Sequence, residues 1–304
     1  VVDTSQSMRD YVENFRANLP AGITYDPILS RYFCNDRRFL NEWEVERYLN
    51  YINKFGFTSF PSSLFANGEE GAWFDPSDLT TMFTDTAGTT QATVGDPVAL
   101  IQDKSGNDWH LTQSTASKRP VLREDSGLYY LEFDGVDDFI GEEDYNFGGP
   151  DNVEVFVAGE YFQTAGATIV SFGGNNSSAY FISHPDGFSD AEARVRFNSG
   201  NNYAIGETPI PAAPHKSVIY AASESDTALV WARVNGVQYL TANNDTRTSG
   251  WDRDQRMLLG TFRTSSGFYS GKFYGAITRG GTRSTDETVQ AVEQYLADKS
   301  GTTL

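Results

Sequence analysis

From Ala72 onward the apolar residues recur at period two, and clusters of Gly, Asn, Asp and Ser break the pattern about every ten residues. Alternation of this kind, punctuated by turn chemistry, is the signature of an antiparallel β-sandwich. NVEVFVAGEYF (152–162) shows it best: Val153, Val155 and Val157 alternate with Glu154, Phe156 and Ala158. The aromatic Phe156 on the second face predicts that both faces of this strand are covered. ATIVSF, AYFIS, ARVRF, SVIYAA, ALVWARV, RMLLGTF and KFYGAI are further strand candidates. Within VNGVQ, Asn235-Gly236 predicts a two-residue hairpin, because both residues tolerate positive φ.

One helix is expected at the end of this region. Ser284 and Glu287 have the spacing of a capping box, Val289, Val292, Tyr295 and Leu296 form an apolar stripe, and Gly301 is placed to stop it. A closing helix after about a dozen strands fits a mainly-β jelly roll.

Residues 1–70 read as a separate small helical module, with the sandwich over 71–304. Asn41 and Glu44 have capping-box spacing, and Val45, Tyr48, Leu49, Ile52 and Phe55 follow at three- and four-residue intervals, which predicts a helix over about 42–55. A weaker helix is expected around 6–18, before Pro20. Between and after these helices lie Tyr25, Tyr32, Phe33, Phe39, Phe57, Phe60 and Phe65, more aromatic side chain than two short helices need. Tyr32, Phe33, Phe39 and Trp43 are therefore candidates for an attachment or oligomerisation interface, with packing among themselves or on the sandwich as the plainer alternative. SSLFANGEEG (62–71) reads as a linker.

The chain has 304 residues, 39% hydrophobic and 14% aromatic, long enough for one large sandwich and a smaller module. A domain of roughly 230 residues buries about 70–75% of its unfolded surface, so no cofactor or disulfide is required for stability. Lys and Arg number 23 against 41 Asp and Glu, a formal charge of −18 that lies mostly beyond residue 70. This disfavours nucleic acid as a partner, since phosphate binding rests on cationic groups. Cys34 is the only cysteine and reads as a buried thiol in RYFCND. No apolar run reaches the roughly 18 residues of a membrane span, and no secretion signal is read at the start.

The region beyond Ala72 also carries an ordered series of motifs. Trp73-Phe74-Asp75-Pro76-Ser77-Asp78 opens it, followed by Asp103-Lys104-Ser105-Gly106-Asn107, Arg119-Pro120-Val121-Leu122, and Leu131-Glu132-Phe133-Asp134-Gly135-Val136-Asp137-Asp138. Gly275-Ala276-Ile277, Ser284 to Glu287 and Tyr295 to Gly301 close it. Over about 230 residues the series resembles the laminin-G-like, concanavalin-A-like lectin sandwich attached to bacteriophage tail and virion proteins and to bacterial surface proteins. The resemblance implies a jelly-roll fold and a non-enzymatic virion component, a tail fibre, tail tip or head decoration. It would be exposed on the particle surface, assembled as a homo-oligomer with other virion proteins, and recognise host surface glycan. The motifs themselves are of a structural kind: Pro76 and Gly106 shape turns, Phe133 fills the core, and Asp134-Gly135 makes a reversal. The first 70 residues fall outside the resemblance.

Two candidate sites follow. Asp134, Asp137, Asp138, Glu142, Glu143 and Asp144 crowd one turn, and oxygen ligands on a loop suit calcium, although the spacing is not that of an EF-hand and a solvated acidic turn is the simpler alternative. Of these, Asp134, Asp137, Asp138, Glu142 and Asp144 are the candidate ligands. For glycan, an aromatic face flanked by amides and guanidiniums is needed. Arg194, Arg196 and Asn198 share one side of a strand, Trp231 and Arg233 share one side of another, and Trp251 and Tyr203 lie on loops that could rim them. The competing expectation is that Trp231 packs in the interior and the arginines pair with acids. The Glu-x-Asp-x-x-Glu signature of the glucanase branch is absent, since Phe147 stands where it needs its last acid; a purely structural decoration protein without sugar binding and a glycan depolymerase whose acids converge through folding are the alternatives. His110, His184 and His215 lack metal-ligand spacing, and there is no Gly-x-Ser-x-Gly elbow.

Overall fold

A computed structural model describes residues 61–145, 152–162, 167–172, 180–184, 192–199, 202–209, 215–224, 229–242, 256–262 and 267–304, and three short strands before them. The chain forms two compact units, Val1–Ser63 and Leu64–Leu304. In the first, β1 (Ile23–Asp26), β2 (Arg31–Cys34) and β3 (Arg37–Phe39) make an antiparallel sheet that sets Tyr32 opposite Tyr25 and Phe39. The helical periodicity on either side puts these aromatics in connections between helices. They lie on strands instead, in keeping with the preference of aromatic residues for pleated backbone. The helices expected over 6–18 and 42–55, with Trp43, lie outside the described residues.

The second unit begins with β4 (Gly71–Phe74), β5 (Met82–Phe83), β6 (Leu100–Ile101), β7 (Leu111–Thr112), β8 (Val121–Asp125), β9 (Leu128–Asp134) and β10 (Ile140–Glu142). It continues through β11 (Asn152–Tyr161), β12 (Ala167–Phe172), β13 (Tyr180–His184), β14 (Glu192–Ser199) and β15 (Asn202–Pro209). It ends with β16 (His215–Glu224), β17 (Leu229–Val234), β18 (Val237–Ala242), β19 (Met257–Leu259), β20 (Ser270–Gly280) and helix α1 (Asp286–Ser300). Two antiparallel sheets result. One runs β15-β14-β13-β12-β19-β10-β7-β6-β5; the other runs β18-β17-β16-β11-β20-β9-β8, with β4 also paired to β20.

The core lies between the sheets, and alternation dictates which residues enter it. Ala72 and Phe74 of β4, Val153, Val155 and Val157 of β11, and Leu131 and Phe133 of β9 all face inward. The opposite face of the eight-stranded sheet is covered in its middle by α1, which packs on β11, β16 and β20. This second layer explains why Phe156 is fully buried, its ring 4.6 Å from that of Tyr220. Trp73, pointing away from the core, meets Tyr295 of the helix edge-on at 6.1 Å.

The predicted hairpin is present, with Asn235 at φ 48° and Gly236 at φ 77°, the left-handed conformation demanded by a two-residue turn. Gly301, at φ 70°, caps α1 and donates its N–H to Ala297 O. The start of the helix departs from expectation. Its N-cap is Thr285, whose hydroxyl accepts from Thr288 N, and not Ser284. Ser284 is drawn away because its N–H and hydroxyl both donate to the buried carboxylate of Glu154, which also accepts from Tyr220 and Arg279. A buried charge needs this complete set of donors, and that demand overrides the local capping spacing.

Of the stretch 62–71 expected as a linker, residues 64–71 belong to the second unit. Leu64 and Phe65 are buried, Arg279 Nε donates to Leu64 O at 3.1 Å, and Gly280 N donates to Glu70 O at 2.8 Å. Gly71 then lies so close to β20 that a Cβ would sit 2.0 Å from Thr278 O.

The opening and closing motifs meet at Asp75. Its carboxylate accepts from Tyr295 at 2.7 Å and from Ser77, and lies 3.1 Å from Lys299 Nζ and 3.6 Å from Lys104 Nζ. Burial pushes this carboxyl up, but the two ammonium groups and the two hydroxyl donors prevail and hold it down at about 2. Replacing Asp75 by Ala leaves the largely buried Lys299 without its carboxylate and Tyr295 without its acceptor, while Lys104 keeps Asp78 at 2.7 Å, so D75A should cost about 3 kcal/mol in urea unfolding at pH 7. Because the folded-state value lies below the ordinary 3.8, the wild-type contribution should be present above pH 4 and fade as the pH falls towards 2. An unfolding free energy for D75A equal to that of the wild type would refute the assignment.

Candidate functional site

The acidic turn follows β9. Gly135 takes φ 77°, and Asp134 Oδ1 accepts from Val136 N at 2.8 Å, Asp137 N at 3.3 Å and Asp138 N at 3.4 Å, so one carboxylate organises the whole reversal. Asp134 N in turn donates to Asp138 Oδ2 at 3.1 Å. One carboxylate oxygen from each of Asp134, Asp137 and Asp138 lies within 4.8 Å of the others. Asp138 is only 6% exposed, and burial, followed by the neighbouring charge of Asp134, raises its carboxyl to about 7. Three converging oxygens are hard ligands of the type that calcium takes, and a cation there would relieve the mutual repulsion.

The other two predicted ligands do not join this group. Glu142 Oε1 accepts from Asp144 N at 3.0 Å in a local turn of its own. The spacing in sequence could not separate the two turns, because β10 intervenes and redirects the chain.

The proposed glycan face divides between the sheets. Arg194, Arg196 and Asn198 stand on β14, and Tyr203, expected on a loop, stands on β15 directly opposite Asn198, all in the nine-stranded sheet. Their side chains, like Trp251 as a whole, lie outside the described residues. Trp231 and Arg233 belong to β17 in the other sheet, on the side that faces α1. Arg233 Nε and Nη2 grip Glu293 at 3.0 and 2.9 Å, and Nη2 also donates to Gly236 O at 2.7 Å. Burial pushes the Glu293 carboxyl up, only partly offset by Arg233. The guanidinium of Arg283 lies 4.1 Å from the centre of the Trp231 ring. Arg233 therefore clamps α1 to the sheet, and Trp231 packs on the turn that leads into it.

A second polar and aromatic group went unread in the sequence. Lys272 Nζ lies 3.1 Å from Glu160, 3.9 Å from Asp125, 4.9 Å from the ring centre of Tyr130 and 5.7 Å from that of Phe162. Three stretches distant in sequence supply it, the β8–β9 hairpin, the end of β11 and β20, and the cross-strand registers that bring them together could not be read from local periodicity.

A scan against protein-family models finds no match, and no curated protein matches the chain in sequence. Solved structures do match in shape. An arabinofuranosidase complexed with arabinofuranosyl-α-1,2-xylobiose aligns over 67% of this chain and 51% of its own, at 14% identity and a TM-score of 0.51. Botulinum neurotoxin type C, whose entry into cells depends on interaction with two ganglioside molecules, aligns over 77% of this chain and 53% of its own, at 9% identity and 0.50. The binding domain of botulinum neurotoxin serotype G aligns over 65% and 49%, also at 9% and 0.50. The chain thus spans about half the length of each of these structures.

The raised Asp138 carboxyl gives a direct test of the turn. A folded-state value near 7 against an ordinary 3.8 means that the wild type loses stability as the pH rises from about 4 to about 7. D138N should remove that loss, melting higher than wild type at pH 8 and showing no advantage of this origin below pH 4. If calcium binds, 1 mM of it, roughly the range of weak extracellular sites, should raise the wild-type melting temperature and leave D138N unmoved. Identical pH profiles for the two proteins would refute the shift. Two antiparallel sheets enclosing one core, with one closing helix among the described residues, and the likeness to these structures make the second unit a concanavalin-A-like β-sandwich.

Proposed function

We propose that this chain is a non-enzymatic, glycan-binding protein of the bacteriophage virion, a tail-fibre, tail-tip or head-decoration component. The observation that carries the glycan reading is the sandwich itself, whose fold recurs in structures associated with arabinofuranosyl-α-1,2-xylobiose and with gangliosides. The virion setting rests on the ordered motif series from Trp73 to Gly301. The aromatic-rich first unit would attach it to other virion proteins or to further copies of itself. Calcium bound at Asp134, Asp137 and Asp138 would belong to this reading as a support of the turn rather than a catalyst.

A structural role without sugar is favoured by one observation: Arg233 and Trp231 are already engaged by Glu293 and Arg283. The two readings part in a glycan array probed with the full chain, with and without calcium. Specific binding that leaves the saccharide intact is the expected result. Trp231→Ala should lower the melting temperature while changing the affinity less than threefold, since that ring lies against Arg283. An array without signal, alongside a folded protein, would overturn the glycan reading in favour of the structural one; release of shortened saccharide would point to a depolymerase.

A further inference from the structure

The helix α1 covers only part of the outer face of the eight-stranded sheet, and the uncovered part carries a mixed aromatic and charged platform. Tyr161 enters the core, so its neighbours Glu160 and Phe162 are turned outward. Phe162 is 41% exposed, and among the described residues it is the only aromatic ring among the large hydrophobic side chains left open to solvent. Its place is held by the strand ladder, with its N–H donating to Ser270 O at 3.0 Å. Beside it stands Lys272, flanked by Glu160 and by Asp125, itself 66% exposed. Tyr130 lies beneath the same ammonium, and Tyr274 donates to Glu160 at 3.2 Å, which fixes the latter carboxylate.

We propose that this platform binds a neutral saccharide, a proposal that rests on the glycan reading above and names its site. Phe162 offers an apolar face to the C–H surface of a pyranose or furanose ring. Asp125 accepts from sugar hydroxyls, and Lys272 donates to them. The charge balance selects the class. Among the described residues, Lys272 is matched by Glu160 and Asp125, and the neighbouring Arg123 by Glu132 at 2.8 Å, three carboxylates against two paired cations on a chain of net charge −18, so a uronate or sialylated sugar would meet net repulsion.

The test uses the full chain, with isothermal titration against the best neutral oligosaccharide on the array and against its uronate or sialylated analogue. Phe162→Ala and Asp125→Asn change exposed groups and should keep the wild-type circular dichroism spectrum and melting temperature. F162A should weaken neutral binding about tenfold or more, a loss of about 1.4 kcal/mol. D125N should weaken it by a smaller factor, and the acidic analogue should bind worse than the neutral one. Wild-type affinity in F162A overturns the site whatever D125N does, and leaves the glycan reading standing; a preference for the acidic sugar overturns the class. Absence of all glycan binding removes both proposals together.

Discussion

The buried carboxylate of Asp75 is the contact on which the closure of the sandwich depends. It receives Tyr295 and Lys299 from the last helix, Lys104 from the turn after β6 and Ser77 from its own turn. Three segments far apart in the chain are thereby tied to one side chain. A lone carboxylate in such a place would be expelled or neutralised; two ammonium groups and two hydroxyl donors keep it ionised. The pairing of the WFDPSD segment with the YLADK segment, distant in sequence, thus has a single physical cause.

A second buried carboxylate, Glu154, does the same work at the other end of the helix. Its donors come from Tyr220, Arg279 and Ser284, so the start of α1 is set by the needs of the sheet beneath it. Glu293, in the middle of the helix, reaches Arg233 on β17. The helix is consequently held by charge pairs along its length as well as by Val289, Val292 and Leu296. Residues that are attractive as ligand-binding groups in isolation, Trp231 and Arg233 above all, are spent in this layer.

The two candidate sites lie where the helix does not reach. One such place is the outer face around Lys272, where strand ends bring aromatic rings and carboxylates to the surface. The other is the turn after β9, where Asp134 organises the backbone and Asp138 is held close to its neighbours at the cost of a raised carboxyl. The two share strand β9, which carries Tyr130 and ends at Asp134.

The sequence by itself determined the sandwich, its strands, the Asn235-Gly236 hairpin and the stop of the helix at Gly301, because alternation, left-handed turn residues and caps act over a few neighbours. It also carried both ends of the Asp75 cluster as motifs, without revealing that they touch. Only the tertiary structure decided that Ser284 serves Glu154 and leaves the cap to Thr285. It also decided that Asp134, Asp137 and Asp138 gather while Glu142 and Asp144 turn away, and that β14 and β17 fall in different sheets. The physical reason is common to all three. Each depends on strand order and on the burial of charge, properties of contacts between residues remote in the chain, which no local pattern encodes.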